Sequence, residues 1–141
     1  MTNSLVGTWK LLSREDVTAN GERRAEPMLG SDPVAFLMYD AAGHFSAQFM
    51  RRNRTLAEVD VLSLVSANNS NAVNGYDAYF GRYSVENGTV TQELLGALSP
   101  SDVGKVVTRR FEISEDALVI QLDATSYGEP VIRTLRWERV G

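Results

Sequence analysis

The chain has 141 residues, of which 43% are hydrophobic and 23% charged, and this profile suits one globular domain spanning residues 1–141. Its net charge of −4 argues against a nucleic-acid partner, because only Arg51-Arg52-Asn53-Arg54 approaches the basic stripe that phosphates require, and such a cluster suits a solvated loop. Cysteine is absent, which excludes a disulfide framework and a thiolate nucleophile and leaves any structural zinc site without sulfur ligands, so no metal is expected.

The opening Met1-Thr2-Asn3-Ser4-Leu5-Val6-Gly7 lacks the basic segment and apolar run of a secretory signal, and nowhere does an uninterrupted apolar stretch reach the ~18 residues of a membrane span. A cytoplasmic protein with no membrane partner is therefore expected. In that setting the Asn-X-Ser/Thr triplets at Asn53, Asn68 and Asn87 are turn and loop asparagines rather than glycosylation acceptors.

Strand signals dominate the chain. A first strand runs from about Leu5 to Val17 and ends at Asn20-Gly21; simple alternation puts Trp9, Leu11, Ser13 and Glu15 on one face, with Trp9 marking the inner side. The proline-containing stretch Glu22 to Pro33 reads as a loop across one end of a barrel. Val34–Tyr39 and His44–Met50 then form a hairpin about Asp40-Ala41-Ala42-Gly43. One of its faces carries Phe36, Met38, His44, Ser46, Gln48 and Met50, and the other Ala35, Leu37, Tyr39, Phe45, Ala47 and Phe49. Bulk hydrophobicity favours the second face as the inner one and a ligand cavity the first, so its orientation stays open.

Thr55-Leu56-Ala57-Glu58 is a capping-box pattern, and Leu56, Val59, Leu62 and Val65 make an apolar stripe, so one short helix ending near Ala67 is expected as a lid or plug, followed by a polar loop to Gly75. Asn87-Gly88 sets the register of the next hairpin: Tyr83 faces Gln92 and Val85 faces Val90 on an inner face with Tyr79, Gly81 and Leu94, while Arg82 faces Glu93 outside. Lys105–Ile113, Ala117–Leu122 and Val131–Val140 complete the set, the first two joined at Glu115-Asp116. Val107, Arg109, Phe111 and Ile113 share a face with Leu118, Ile120 and Leu122, and Arg133, Leu135 and Trp137 share one on the closing strand. The class is mostly β, and about eight such strands suit a closed antiparallel barrel.

Leu5-Val6-Gly7-Thr8-Trp9-Lys10-Leu11, the run Phe36 to Arg51, Tyr76 to Val85 and the final Leu135-Arg136-Trp137-Glu138-Arg139-Val140 together resemble the lipocalin-like domain family of the calycin barrels, in the same order over essentially the whole chain. The resemblance implies an up-and-down barrel with an apolar interior, a scaffold for carriers of small lipophilic molecules and for some cofactor-independent enzymes. The family often carries histidine where this chain has Gln92, so no acid/base role is carried over to that position.

The residues themselves nominate a site. An inward Arg109 demands a carboxylate, a carbonyl or a ligand oxygen; Glu15, if inward, would supply the carboxylate, with Arg133 as a competitor. Tyr79, Tyr83 and Gln92 offer polar tips on an apolar wall, with Met38, Gln48 and Phe111 as further ligand-binding candidates. Trp9 and Trp137 are expected to close the barrel floor. His44 is the lone histidine, beside a turn, and Ser46 lacks a Gly-X-Ser-X-Gly context, so a serine triad is not indicated. No phosphate-cradling, dinucleotide or calcium loop occurs, and no cofactor is expected.

The first expectation is a barrel binding a small hydrophobic or amphipathic molecule. The alternative is a cofactor-independent isomerase, cyclase or lyase, with Glu15 or His44 moving a proton and Arg109 or a tyrosine stabilising an oxyanion. A third is an interaction protein, such as a homodimer, packing through the other face of the Val34–Met50 hairpin.

Overall fold

The computed structural model describes residues 4–25, 29–52 and 75–141. Its strands are β1 (Gly7–Thr18), β2 (Arg23–Arg24), β3 (Val34–Tyr39), β4 (His44–Met50), β5 (Tyr76–Glu86), β6 (Thr89–Ala97), β7 (Val106–Ser114), β8 (Ala117–Ser126) and β9 (Glu129–Arg139). Every neighbouring pair is antiparallel, and β1 pairs with both β3 and β9, so eight strands close on themselves; the two-residue β2 adds only to the end of β1. Closure leaves no long exposed edge. The helix expected near Thr55 to Ala67, and the loop after it, lie outside the described residues. Among those described, the helical structure is one short 3₁₀ turn, Pro100–Asp102, and no helix is long and apolar enough to cross a membrane.

Turn chemistry fixes the registers. Asn87 sits at φ 49°, and Tyr83 pairs with Gln92, Val85 with Val90 and Arg82 with Glu93. In the β3–β4 turn the Asp40 carboxylate accepts from the backbone N–H of Ala42 (2.9 Å) and of His44 (2.8 Å), holding the reversal in place. That hairpin's orientation is decided by bulk hydrophobicity: Ala35, Leu37, Tyr39, Phe45, Ala47 and Phe49 are buried, whereas Phe36 and Met38 are exposed on the outside. The β8–β9 hairpin is longer than the sequence suggested, continuing to Ser126 and Glu129 around Tyr127-Gly128, because Tyr127 adopts a positive φ of 52° that a tyrosine rarely takes.

The two ends of the barrel differ. At one end Leu5, Trp9, Val90 and Leu118 have no exposed surface and form a sealed floor. The Trp9 indole N–H donates to the carbonyl of Leu5 at 2.9 Å, and the Arg139 guanidinium lies over the ring, 4.2 Å from its centroid. Gly7 makes this closure feasible: its φ is +139°, and a Cβ there would lie 2.5 Å from Arg139 Nη1, so the Gly-X-Trp spacing has a steric origin. At the opposite end β1, β4, β6 and β8 finish and β3, β5, β7 and β9 begin.

One irregularity changes what enters the barrel. The β1–β9 register slips between Leu11 and Ser13, leaving Leu12 as the extra residue, 53% exposed. Beyond the bulge the inward positions become Arg14, Asp16 and Thr18, all buried, in place of Ser13 and Glu15. Glu15 therefore points outward and meets Arg23 at 3.3 Å; it is not the inner partner of Arg109. The inward carboxylate is Asp16, which accepts from Arg133 Nε at 2.8 Å and Nη2 at 3.0 Å across the seam that closes the barrel.

Removing one partner of a buried, bidentate pair leaves the other charge uncompensated, so Asp16→Ala should lower stability in urea denaturation by about 3–5 kcal/mol. Glu15→Ala, on the outer face, should change it by less than about 1 kcal/mol. The double variant Asp16→Leu/Arg133→Met should regain most of the loss. Equal effects from Asp16→Ala and Glu15→Ala would contradict the phase of β1 beyond the bulge.

Candidate functional site

Above the sealed floor lies a cavity of about 230 Å³. Its wall is mainly apolar, with Leu37, Phe49, Leu94, Ile120, Leu135 and Trp137 contributed by different strands. Exposed Lys105 and Asp123, together with Asp102, lie at the end away from Trp9 and mark the mouth. Asp102 is buried behind the Pro100–Asp102 turn and accepts from Lys105 at 2.7 Å. Asp123 meets Arg110 at 3.3 Å.

Tyr79, Gln92 and Arg109 reach this cavity, each from an inward position of β5, β6 or β7. Gln92 is buried, and its amide donates to the hydroxyl of Tyr39 at 2.8 Å, so one end of the side chain is committed to the wall. Tyr79 packs its ring near Phe45 and Phe49, with centroids 6.0 and 6.4 Å away, and its hydroxyl has no hydrogen-bond partner among the described residues. Arg109 is half-buried and forms no ion pair among the described residues; its Nη1 reaches only the carbonyl of its neighbour Thr108, at 3.3 Å. Burial pulls its guanidinium below the usual arginine range, with Tyr79 opposing that shift and the like charge of Arg133 adding to it.

The other expected site residues fall elsewhere. Tyr83 lies further along β5 toward the floor, donates to the carbonyl of Asp40 at 2.6 Å and packs edge-on against Tyr39 with centroids 4.7 Å apart. Phe111 faces inward but lies beyond Arg109 on the floor side, where it joins the core rather than the cavity wall. Met38 and Gln48 are on the outer face, because the larger apolar side chains of their hairpin took the inner one. His44 sits at the β3–β4 turn, its side chain 58% exposed and its Nδ1 3.4 Å from Asp40. Of the catalytic candidates, only Arg109 is at the cavity; Glu15 and His44 are not.

Three features of the interior escaped sequence reading. Arg14 is buried and lines the cavity, as does Asp77 at the start of β5. Arg14 was hidden by the bulge, whereas Asp77 lies two residues before Tyr79 and shares its face by simple alternation. Trp137 lines the cavity instead of closing the floor, packing edge-on to Phe49 at 5.9 Å. Its indole nitrogen is buried without a hydrogen-bond partner among the described residues.

The interior tyrosines give the fold an alkaline limit. Burial is the largest cause raising both Tyr39 and Tyr79 above the ordinary phenol range. A raised folded value means that their contribution is fully present below the unfolded tyrosine value of about 10 and is lost as pH rises beyond it. Thermal stability should therefore fall as pH increases above about 10, with part of the tyrosinate absorbance appearing only in the unfolding transition. Tyr39→Phe should reduce that alkaline slope; an unchanged slope would assign it to other groups.

Among solved structures, the chain is similar to an uncharacterized protein from Bacteroides eggerthii, with 16% identity, a TM-score of 0.48 and coverage of 97% of this chain and 100% of that one. It is also similar to zebrafish ileal bile acid-binding protein in complex with cholic acid, with 14% identity, a TM-score of 0.45 and coverage of 98% and 100%. No curated protein matches it. The family model described as a lipocalin-like domain matches residues 6–140, nearly the whole chain and all of the closed barrel, and on that ground the chain belongs to the lipocalin-like domain family.

Proposed function

We propose that the barrel binds a small amphipathic molecule in its interior. The observation that carries this reading is the cavity itself: about 230 Å³ of space behind a mouth of charged residues, walled by apolar side chains and reached by a few polar groups. The packing supports the same reading. Val107 and Arg109, the β7 residues that line the cavity, are only half-buried, so at their height the interior is wall rather than filled core.

The binding reading stands ahead of proton-transfer catalysis because the carboxylate and imidazole nominated for that chemistry, Glu15 and His44, both lie on the outside. A carrier needs only shape, apolar wall and an anchor, and the cavity has these.

Native mass spectrometry after incubation with a panel of small amphipathic metabolites tests the proposal, with Val107→Trp as the occluding variant. Val107 is half-buried on the cavity wall, so the larger ring fills the space without entering the sealed floor. Retention of a stoichiometric ligand by the wild-type protein, and its loss from a Val107→Trp protein of unchanged circular dichroism, is the expected result. Equal retention by both proteins would place the binding elsewhere.

A further inference from the structure

We infer that the molecule in the cavity carries a single anionic group, a carboxylate or its equivalent, and that Arg109 receives it with help from the hydroxyl of Tyr79. This inference rests on the binding reading above and names the chemical class of the ligand.

Charge balance is the first argument. Among the described residues, the ionic side chains around the cavity are Arg14, Arg109, Arg133, Lys105, Asp77, Asp102 and Asp123. Arg133 is neutralised by Asp16, Lys105 by Asp102 and Asp123 by Arg110. Arg14 and Asp77 cancel in sign. Among the described residues Arg109 is the charge that these pairings leave over, one positive charge without a carboxylate of its own. A guanidinium away from bulk water is costly unless an anion or several acceptors face it.

Hydrogen-bonding capacity is the second argument. Arginine has five N–H donors and no acceptor, and among the described residues those of Arg109 meet only the Thr108 carbonyl at 3.3 Å. The Tyr79 hydroxyl has no partner among the described residues, and its electrostatic neighbours are Arg109, then the carboxylate of Asp77, then Arg14 and Arg133, three cations to one anion. A donor-rich wall with surplus positive charge matches an acceptor-only, negatively charged group; a neutral hydroxyl or amide would leave the charge unanswered. The apolar wall opposite then takes the rest of the molecule.

Isothermal titration separates this inference from the proposal beneath it. The probes are two carboxylates, octanoate and phenylpropionate, and the matching alcohols, octanol and phenylpropanol, measured on wild type, Val107→Trp, Arg109→Leu, Arg109→Lys and Tyr79→Phe. The expected result is that at least one carboxylate binds wild type, that Val107→Trp abolishes the binding, and that its alcohol binds about ten- to a hundred-fold more weakly. Arg109→Leu should weaken the carboxylate by a similar factor while leaving the alcohol nearly unchanged. Arg109→Lys should recover part of the loss, since it keeps the charge without the planar fork. Tyr79→Phe should weaken the carboxylate by less. An alcohol that binds as tightly as its acid, with occlusion by Val107→Trp intact, overturns the anion and leaves the cavity reading standing. Failure of all four probes to bind wild type overturns both. If Arg109→Leu is unfolded, the acid–alcohol ratio on wild type and the Arg109→Lys variant decide the question without it.

Discussion

The single extra residue in β1 governs the electrostatics of this barrel. Without the bulge at Leu12, strict alternation would turn Ser13 and Glu15 inward; with it, Arg14 and Asp16 take their place. The cost of burying Asp16 is met by Arg133, which stands directly opposite it on the last strand. Because β1 and β9 are the first and last strands of the ring, the pair also ties together segments 117 residues apart in sequence, at the seam where closure is entropically most demanding. A hydrophobic pair would be cheaper to bury. An ion pair, however, accepts only one register, since slipping β1 by one residue would expose Asp16 and strand Arg133.

This seam divides the interior into two regimes. Toward the chain ends, Trp9 is capped by the Leu5 carbonyl on its nitrogen and by Arg139 on its face, and it has no exposed surface. Toward the mouth, the inner surface alternates apolar side chains with Arg14, Asp77, Gln92 and Arg109. The floor supplies cohesion that the mouth region lacks, so the polar half can remain incompletely packed while the chain stays folded. The sealed core and the cavity thus lie toward opposite ends of the same strands.

Much of this was legible in the sequence. Asn87-Gly88 fixed a register that placed Tyr79 and Gln92 on the inner face, because a two-residue turn leaves no freedom in the pairing. Arg109 could be found because its strand alternates without interruption. Glu15 was misplaced for the opposite reason: a bulge at Leu12 involves no glycine or proline, and its cause, the fit of β1 to β9, is tertiary. Met38 and Gln48 lay on a hairpin whose two faces were both partly apolar, so only the competition between Phe45, Phe49 and Tyr39 on one side and Phe36 and Met38 on the other settled the matter. Tyr83 and Phe111 were assigned the right face, but alternation carries no information on height along the barrel, and height separates cavity from core here.

Arg109 is where these constraints meet. Its strand has half-buried inward neighbours, Val107 and Phe111, so a leucine at that position would extend the apolar wall and relieve the desolvation of a charge. The buried arginine on β9 has its own carboxylate in Asp16; among the described residues Arg109 has only the Thr108 carbonyl, at 3.3 Å. A desolvated guanidinium in an apolar wall fits, on the anion-binding proposal, the pattern in which a site forgoes stability to stay poised for a ligand. Under the anion-binding proposal, the positive charge left over among the described residues is one half of an interaction whose other half arrives through the mouth.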